Sequence, residues 1–219
     1  MMKLQNDKVK KVDKATGNLF VIAAPSGAGK TSLVKALSES IDDFHISISH
    51  TTRAMRPGEA NGRDYFFIDH AVFDHMTAQQ AFLEHAVVFD NQYGTSRAWV
   101  LTELSNGQDV ALEIDWQGAR QIKALFPEAI LIFILPPSID TLNARLKQRK
   151  QDQLEIIAKR MHESQAEMQH FAEFDYLIVN DRFDVALLDL QHIVLAARLK
   201  MQRQMKKQAI LLENLLKKP

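Results

Sequence analysis

The stretch Leu19-Phe20-Val21-Ile22-Ala23-Ala24-Pro25-Ser26-Gly27-Ala28-Gly29-Lys30-Thr31 joins an unbroken apolar run to a turn of small residues, and a helix-forming segment follows at once through Ser40. An apolar run without alternation is buried on both faces, the habit of a parallel strand covered by helices on either side. Backbone N–H groups that point into such a turn, together with the helix N-terminus, form a nest for an anion. Gly27 and Gly29 let the backbone curl around a phosphate without a Cβ in the way. Lys30 supplies charge to the β and γ phosphates, and the Thr31 hydroxyl can ligate Mg²⁺. Against the pattern Gly-x-x-x-x-Gly-Lys-Ser/Thr, the first glycine is Ala24, a position that closes the strand rather than lining the cradle.

Working outward, short apolar runs alternate with helical periodicity, which predicts a parallel sheet flanked by helices. Strands are expected at Leu19 to Ala23, His45 to Ser49, Val110 to Ile114, Ile130 to Leu135 and Tyr176 to Val179. Helices are expected at Thr31 to Ser40, Trp116 to Phe126, Ser138 to Gln148, Leu154 to His170 and from Val185 onward. The alternation breaks between His50 and Arg97, where Pro57, Gly58, Gly62 and Gly94 mix with Tyr65, Phe66, Phe67 and Phe73, and this stretch reads as a short-stranded insertion. Lys147 to Gln153 is a second irregular, charged patch. Leu195 to Leu216 has an amphipathic helical pattern that suits either packing on the core or a contact between copies.

Composition narrows the class. The chain has 219 residues, 46% of them hydrophobic, with 27 Lys+Arg against 27 Asp+Glu. That excludes a disordered chain and argues against a general nucleic-acid or membrane-surface binder. Neutrality is a cancellation: residues 1–16 carry five Lys and two Asp, residues 141–163 six basic and three acidic, and residues 198–219 seven and one. There is no cysteine, which suits the cytosol, and no apolar run long enough to span a bilayer. The eight histidines show no metal-site spacing, and His70 and His75 lie five apart in a polar stretch.

Three further groups bear on chemistry. Asp115 ends the strand Val110 to Ile114, where ligands gather in open α/β sheets; it suits a metal or water ligand and equally a helix N-cap. Arg53 and Arg56 sit three apart beside Pro57-Gly58, where a turn can present two guanidinium forks to one phosphate. Glu84 follows Phe82-Leu83 in an apolar stretch, and a buried carboxylate there requires partners.

These residues, in order, resemble guanylate kinase of bacterial type. The resemblance rests on Ala24 to Thr31, Ser49 to Glu59, Gly62 to Phe67, Phe82 to Ala86, Tyr93-Gly94-Thr95, Ile114 to Gly118, Ile134 to Ser138 and Ile178 to Asp181, and spans roughly Gly17 to Leu199. It implies an α/β fold: a P-loop NTPase core with a parallel sheet flanked by helices, an inserted GMP-binding domain and a small helical lid. The implied division is an N-terminal tail (1–16), a core (17–49, 98–140, 164–199), the insertion (50–97), a lid (141–163) and a C-terminal helical extension (200–219).

The implied activity is reversible transfer of the ATP γ-phosphoryl group to GMP or dGMP, giving ADP and GDP, in the cytoplasm and with Mg²⁺ as cofactor. The catalytic residues would be Lys30, Arg145, Arg149 and Arg160. ATP would meet Ser26, Gly27, Ala28, Gly29, Lys30, Thr31, Ser32 and Asn180. GMP would meet Ser49, Arg53, Arg56, Tyr65, Glu84, Tyr93, Gly94, Thr95, Glu113 and Asp115, and the metal Thr31, with Asp115 through water. No nucleic acid or membrane partner is expected, and assembly of copies is open. Two departures stand out: Glu113 where the family usually has Asp, and Lys147-Gln148-Arg149-Lys150-Gln151-Asp152 where it has glycines in the lid. The competing reading is a catalytically silent guanylate-kinase-like binding module, expected to lack nucleotide-site residues that this chain retains.

Overall fold

The structure, a computed structural model, describes residues 16–88, 90–148 and 154–217, with backbone alone for residues 148 and 154–160. The expected N-terminal tail up to residue 15, the lid tip and Arg149 lie outside the described residues.

Five parallel strands form the main sheet: β1 (Leu19–Ala23), β2 (Phe44–Ile46), β7 (Asp109–Glu113), β8 (Ile130–Leu135) and β9 (Tyr176–Val179), in the order β2-β7-β1-β8-β9. The apolar runs obey the strand period of two. Phe20, Ile22, Ile130, Ile132 and Ile134 pack on one side with Leu33, Val34 and Leu37 of α1 (Lys30–Ser40) and Leu190 and Val194 of α7 (Phe183–Arg198). Leu19, Val21, Val110, Leu112 and Leu131 pack on the other with Val100 of α3 (Arg97–Ser105) and Ala119 and Ile122 of α4 (Trp116–Leu125). Each such side chain, taken fully out of water, contributes roughly 1.5–3 kcal/mol.

A second sheet of four short strands has the order β4-β3-β6-β5: β3 (His50–Thr51), β4 (Phe66–Phe67), β5 (Phe82–Val88) and β6 (Asn91–Ser96). β5 and β6 pair antiparallel. Gly94 is required there because a Cβ would fall 2.8 Å from the Phe82 ring. This is the short-stranded segment expected from His50 to Arg97. It also contains a helix that the pattern of prolines and glycines obscured, α2 (His70–Ala78), started by the Asp69 carboxylate accepting from Val72 N–H at 2.8 Å.

Several boundaries differ from expectation. β2 stops at Ile46, and Ser47–Ser49 lead out toward the second sheet, with one last bond from Ser47 N–H to the Ala111 carbonyl (2.9 Å). β7 begins one residue early, at Asp109, a charge no apolar pattern would place in a strand. Asp109 is fully buried because Arg198 Nε and Arg203 Nη1 reach its two oxygens at 2.7 and 2.5 Å. The C-terminal pattern does not make one helix. α7 ends at Arg198, and α8 (Met201–Lys207) and α9 (Ala209–Leu216) follow, redirected so that Arg203 can pair with Asp109. The segment expected as a lid, residues 141–163, runs through parts of α5 (Ile139–Gln148) and α6 (Leu154–Met168).

Candidate active site

The loop after β1 sits at the carboxyl ends of β1 and β7. Gly27 and Gly29 take φ of 92° and 91°, the left-handed region that a Cβ disfavours. A Cβ on Gly29 would also lie 2.5 Å from Asn180 Nδ2. Gly29 caps α1 without a side-chain hydrogen bond, so the first N–H groups of the helix face the loop rather than a capping oxygen. That leaves the cradle's donors for an anion.

Side chains brace this loop from beneath. Asn180 is buried, and its Nδ2 donates to the Ala28 carbonyl at 2.7 Å. Arg145 reaches the same place from α5, donating to the Asn180 carbonyl at 3.2 Å and toward the Ala28 carbonyl at 3.5 Å. Lys30 Nζ lies 3.4 Å from the Ile114 carbonyl. Thr31 Oγ1 donates to Glu113 Oε2 at 3.1 Å, so the longer Glu113 side chain meets the proposed metal-binding hydroxyl directly. Ser26 is half-buried, and Ser32 is exposed on the first turn of α1.

Asp115 is the N-cap of α4: its Oδ1 accepts from Gly118 N–H at 2.9 Å and its Oδ2 from Gln117 Nε2 at 3.2 Å. Of the two readings open for it, the cap is thus present, and it leaves the carboxylate close to the cradle. Glu84 of β5 packs against the same turn, since a Cβ on Gly118 would be 2.6 Å from Glu84 Oε2. Thr95 Oγ1 donates to Glu84 Oε1 at 2.5 Å, and both residues are buried. Burial pushes the Glu84 carboxyl up to about 7; the Thr95 hydrogen bond opposes this and the Asp115 charge adds to it. Ser49 is buried near the start of the second sheet and accepts from Phe66 N–H through its carbonyl at 2.9 Å.

Arg53 is held in place without ligand. Its two terminal nitrogens donate to Glu59 at 2.8 and 3.1 Å, and its guanidinium lies 5.3 Å from the Tyr65 ring centroid and 5.6 Å from that of Phe67. Glu59 also accepts from Arg56 N–H at 2.8 Å, which fixes the turn while the Arg56 side chain is exposed. Tyr65 meets Tyr93 edge-on at 5.9 Å. Burial pushes the Tyr65 phenol up to about 12, with Tyr93 and Glu113 adding to the shift. Arg53, Arg56, Tyr65, Tyr93 and Glu113 therefore form one neighbourhood, joined to the phosphate loop by the Glu113 to Thr31 bond. Arg160 lies on α6, within the backbone-only part of that helix.

The chain matches the family model described as guanylate kinase over residues 16–197. It belongs to the guanylate kinase family. Relatives with that name include one from Coxiella burnetii (strain RSA 493 / Nine Mile phase I), 56% identical and covering 92% of this chain and 98% of its own length. Another, from Legionella pneumophila (strain Paris), is 54% identical with 94% and 98% covered. The crystal structure of guanylate kinase from Anaplasma phagocytophilum superposes with a TM-score of 0.78 at 29% identity, covering 94% of this chain and 99% of that one. The family fold is thus a P-loop α/β fold with a mostly parallel central sheet, as expected from the alternation of runs.

One group was missed by sequence reasoning. Ser164 and Glu167 of α6 face the loop at Ser26. The available signal was weak: two polar residues three apart, inside a helix whose pattern otherwise reads as solvated.

Proposed function

We propose that the chain transfers the γ-phosphoryl group of ATP to GMP or dGMP, giving ADP and GDP, as a reversible step in purine nucleotide metabolism in the cytoplasm. The observation that carries this reading is the chain of contacts from the phosphate loop through Thr31, Glu113 and Asp115 to a buried carboxylate, Glu84, on a separate sheet. On this reading a phosphate cradle and a buried carboxylate suited to guanine's two donors would serve one site.

Guanine offers N1–H and an exocyclic amine side by side, two donors for one carboxylate, and adenine has no N1–H. Glu84, already oriented by Thr95, would take both, with Ser49 completing base recognition. Arg53, held by Glu59, and Arg56 would take the GMP phosphate together with Tyr65 and Tyr93. That phosphate is mostly a dianion near pH 7, with a second pKa of about 6, so the acceptor needs no general base. Transfer then depends on alignment and charge stabilisation. Lys30 and the arginines Arg145, Arg149 and Arg160 would spread over the transferred oxygens, and closure of the lid would exclude water.

The hydroxyl of Thr31 and the carboxylates of Glu113 and Asp115 are hard oxygen donors of the kind Mg²⁺ prefers. Thr31 would hold the ion directly and Asp115 through water, and the bound ion would offset phosphate charge.

A coupled assay of ADP formation from ATP with GMP, AMP or UMP tests the assignment. Turnover with GMP far above the other two is expected, because a site built for guanine's donors rejects analogues lacking them by about 10⁴ to 10⁵. Equal rates with AMP would defeat it.

A further inference from the structure

Trp116 is the first residue of α4, directly after Asp115, and the proposed nucleotide contacts make no use of its indole. Against it lies His170, just past the end of α6, with the two rings face to face at 3.7 Å and 13°. The imidazole is also tied down at its rim, where Nδ1 donates to Glu173 Oε1 at 2.7 Å. Glu173 in turn takes a two-pronged bond from Arg120, 2.6 Å on each arm, and the Arg120 guanidinium lies 4.5 Å from the same indole. The Arg120 bond holds the Glu173 carboxyl down to about 2, so it accepts as a carboxylate at any working pH. Four side chains thus close a ring between the first turn of α4 and the turn that follows α6.

Arg120 and Glu173 are 56% and 33% exposed, and an ion pair so close to water contributes little to stability. What a bidentate fork does supply is direction. α6 needs it, because over residues 161–168 only Ser164 is buried, where its hydroxyl lies 3.5 Å from the Ser26 carbonyl. A helix with so narrow a buried face is not aimed by core packing. Arg160, expected among the catalytic arginines, comes eight residues before the end of α6 at Met168, about 12 Å away at about 1.5 Å per residue. A swing of about 10° at the anchor moves that position by about 2 Å, and a misplacement of about 1 Å is enough to cost about 10²-fold in transfer.

We propose that His170 is a positioning residue for phosphoryl transfer: stacked on Trp116 and held by Glu173 and Arg120, it sets the direction in which α6 leaves the core and so carries Arg160 to the transferred phosphoryl group. The proposal rests on the assigned kinase activity and on Arg160 acting in it, and adds a residue from outside the proposed nucleotide contacts.

The test compares His170→Ala with His170→Phe in the full chain. Phe keeps a flat ring on Trp116 and Ala removes it. His170→Ala is expected to lower kcat by about ten- to a hundredfold, with the KM for GMP and the calorimetric affinity for ADP unchanged, and His170→Phe should recover most of the loss. An unchanged kcat in the Ala variant overturns the proposal, as does a Phe variant as slow as Ala. A fall in kcat matched by weaker GMP and ADP binding marks general loosening and overturns it too. In an Arg160→Lys background, His170→Ala should cost less than about threefold more, and losses that multiply in full overturn the proposal. Glu173→Ala, at the exposed side of the ring, should lower kcat by about threefold, and an unchanged value overturns the proposal even where His170→Ala does not fold. One readout needs no turnover. Trp99→Phe leaves Trp116 as the only tryptophan, and its emission should move to the red on His170→Ala and stay in place on His170→Phe. Unchanged emission on His170→Ala overturns the proposal, separately from a wild-type chain that fails to convert ATP and GMP, which would overturn the activity assignment instead.

Discussion

The two sheets that meet at Glu113 and Asp115 do their work with different parts of the chain. In the five-stranded parallel sheet the side chains are committed to packing, and the loop after β1 offers backbone N–H groups to a ligand. In the four-stranded sheet the strands are short, the buried residues include Thr51, Glu84 and Thr95, with Ser49 just ahead of β3, and on the proposed reading side chains would do the recognising. Backbone donors suit any phosphate, while side-chain donors and acceptors can discriminate one base from another. The cost falls on the second sheet, which holds a buried carboxylate whose proton affinity is raised.

That contrast predicts separable phenotypes. Lys30→Ala removes the cradle's charge, and the hydrogen bond it gives up within the protein is a long one, to the Ile114 carbonyl at 3.4 Å. Turnover should fall by about 10² to 10³ with the melting temperature nearly unchanged. Retained turnover in a steady-state assay would break the division of labour at its root.

Glu84→Gln should lower kcat/KM for GMP by about 10 to 100-fold, the value of a charge-assisted hydrogen bond, with the KM for ATP unaffected. Steady-state kinetics with each substrate varied in turn measures both. A parallel loss on the ATP side would show that the two regions are not separable.

A smaller effect follows from the raised Glu84 pKa of about 7. Guanine's donors need the ionised carboxylate, so the KM for GMP should rise as pH falls below 7, by up to about tenfold per unit. The GMP phosphate also titrates, and the Glu84→Gln variant supplies that background; identical profiles in the two proteins would refute the assignment. For stability the sign is opposite. The folded state binds the proton more tightly than the unfolded chain, whose value is near 4.5. Glu84 therefore contributes stability that is complete below 4.5 and lost as pH rises through about 7.

The least effect is expected at the junction itself. Glu113→Asp withdraws the carboxylate from Thr31, 3.1 Å away, and should change turnover by less than about threefold, the value of one exposed hydrogen bond. A large rise in kcat would show that the longer side chain impairs transfer.

The strands Leu19–Ala23, Ile130–Leu135 and Tyr176–Val179 were legible to the residue because their apolar runs are bounded by turn residues. Asp109 was not, because its place in a strand depends on Arg198 and Arg203, about ninety residues away along the chain. In the candidate site, Lys30 and Thr31 were readable from spacing along one strand-turn-helix unit, and Asp115 from its place at the end of a second strand. Asn180 was readable only as a turn signal, and its brace on Ala28 spans 152 residues.

Local chemistry was therefore written along the chain: an anion nest needs consecutive residues with particular backbone freedom, and Gly27, Gly29, Lys30 and Thr31 supply it wherever the fold sets them. What surrounds that nest came from packing. The approach of Ser164 to the Ser26 carbonyl, the meeting of Glu84 with Gly118, and the turn of α8 toward Asp109 each join groups far apart in sequence. No periodicity records such pairings, because a buried polar group is tolerated only by the partner that the folded chain brings to it.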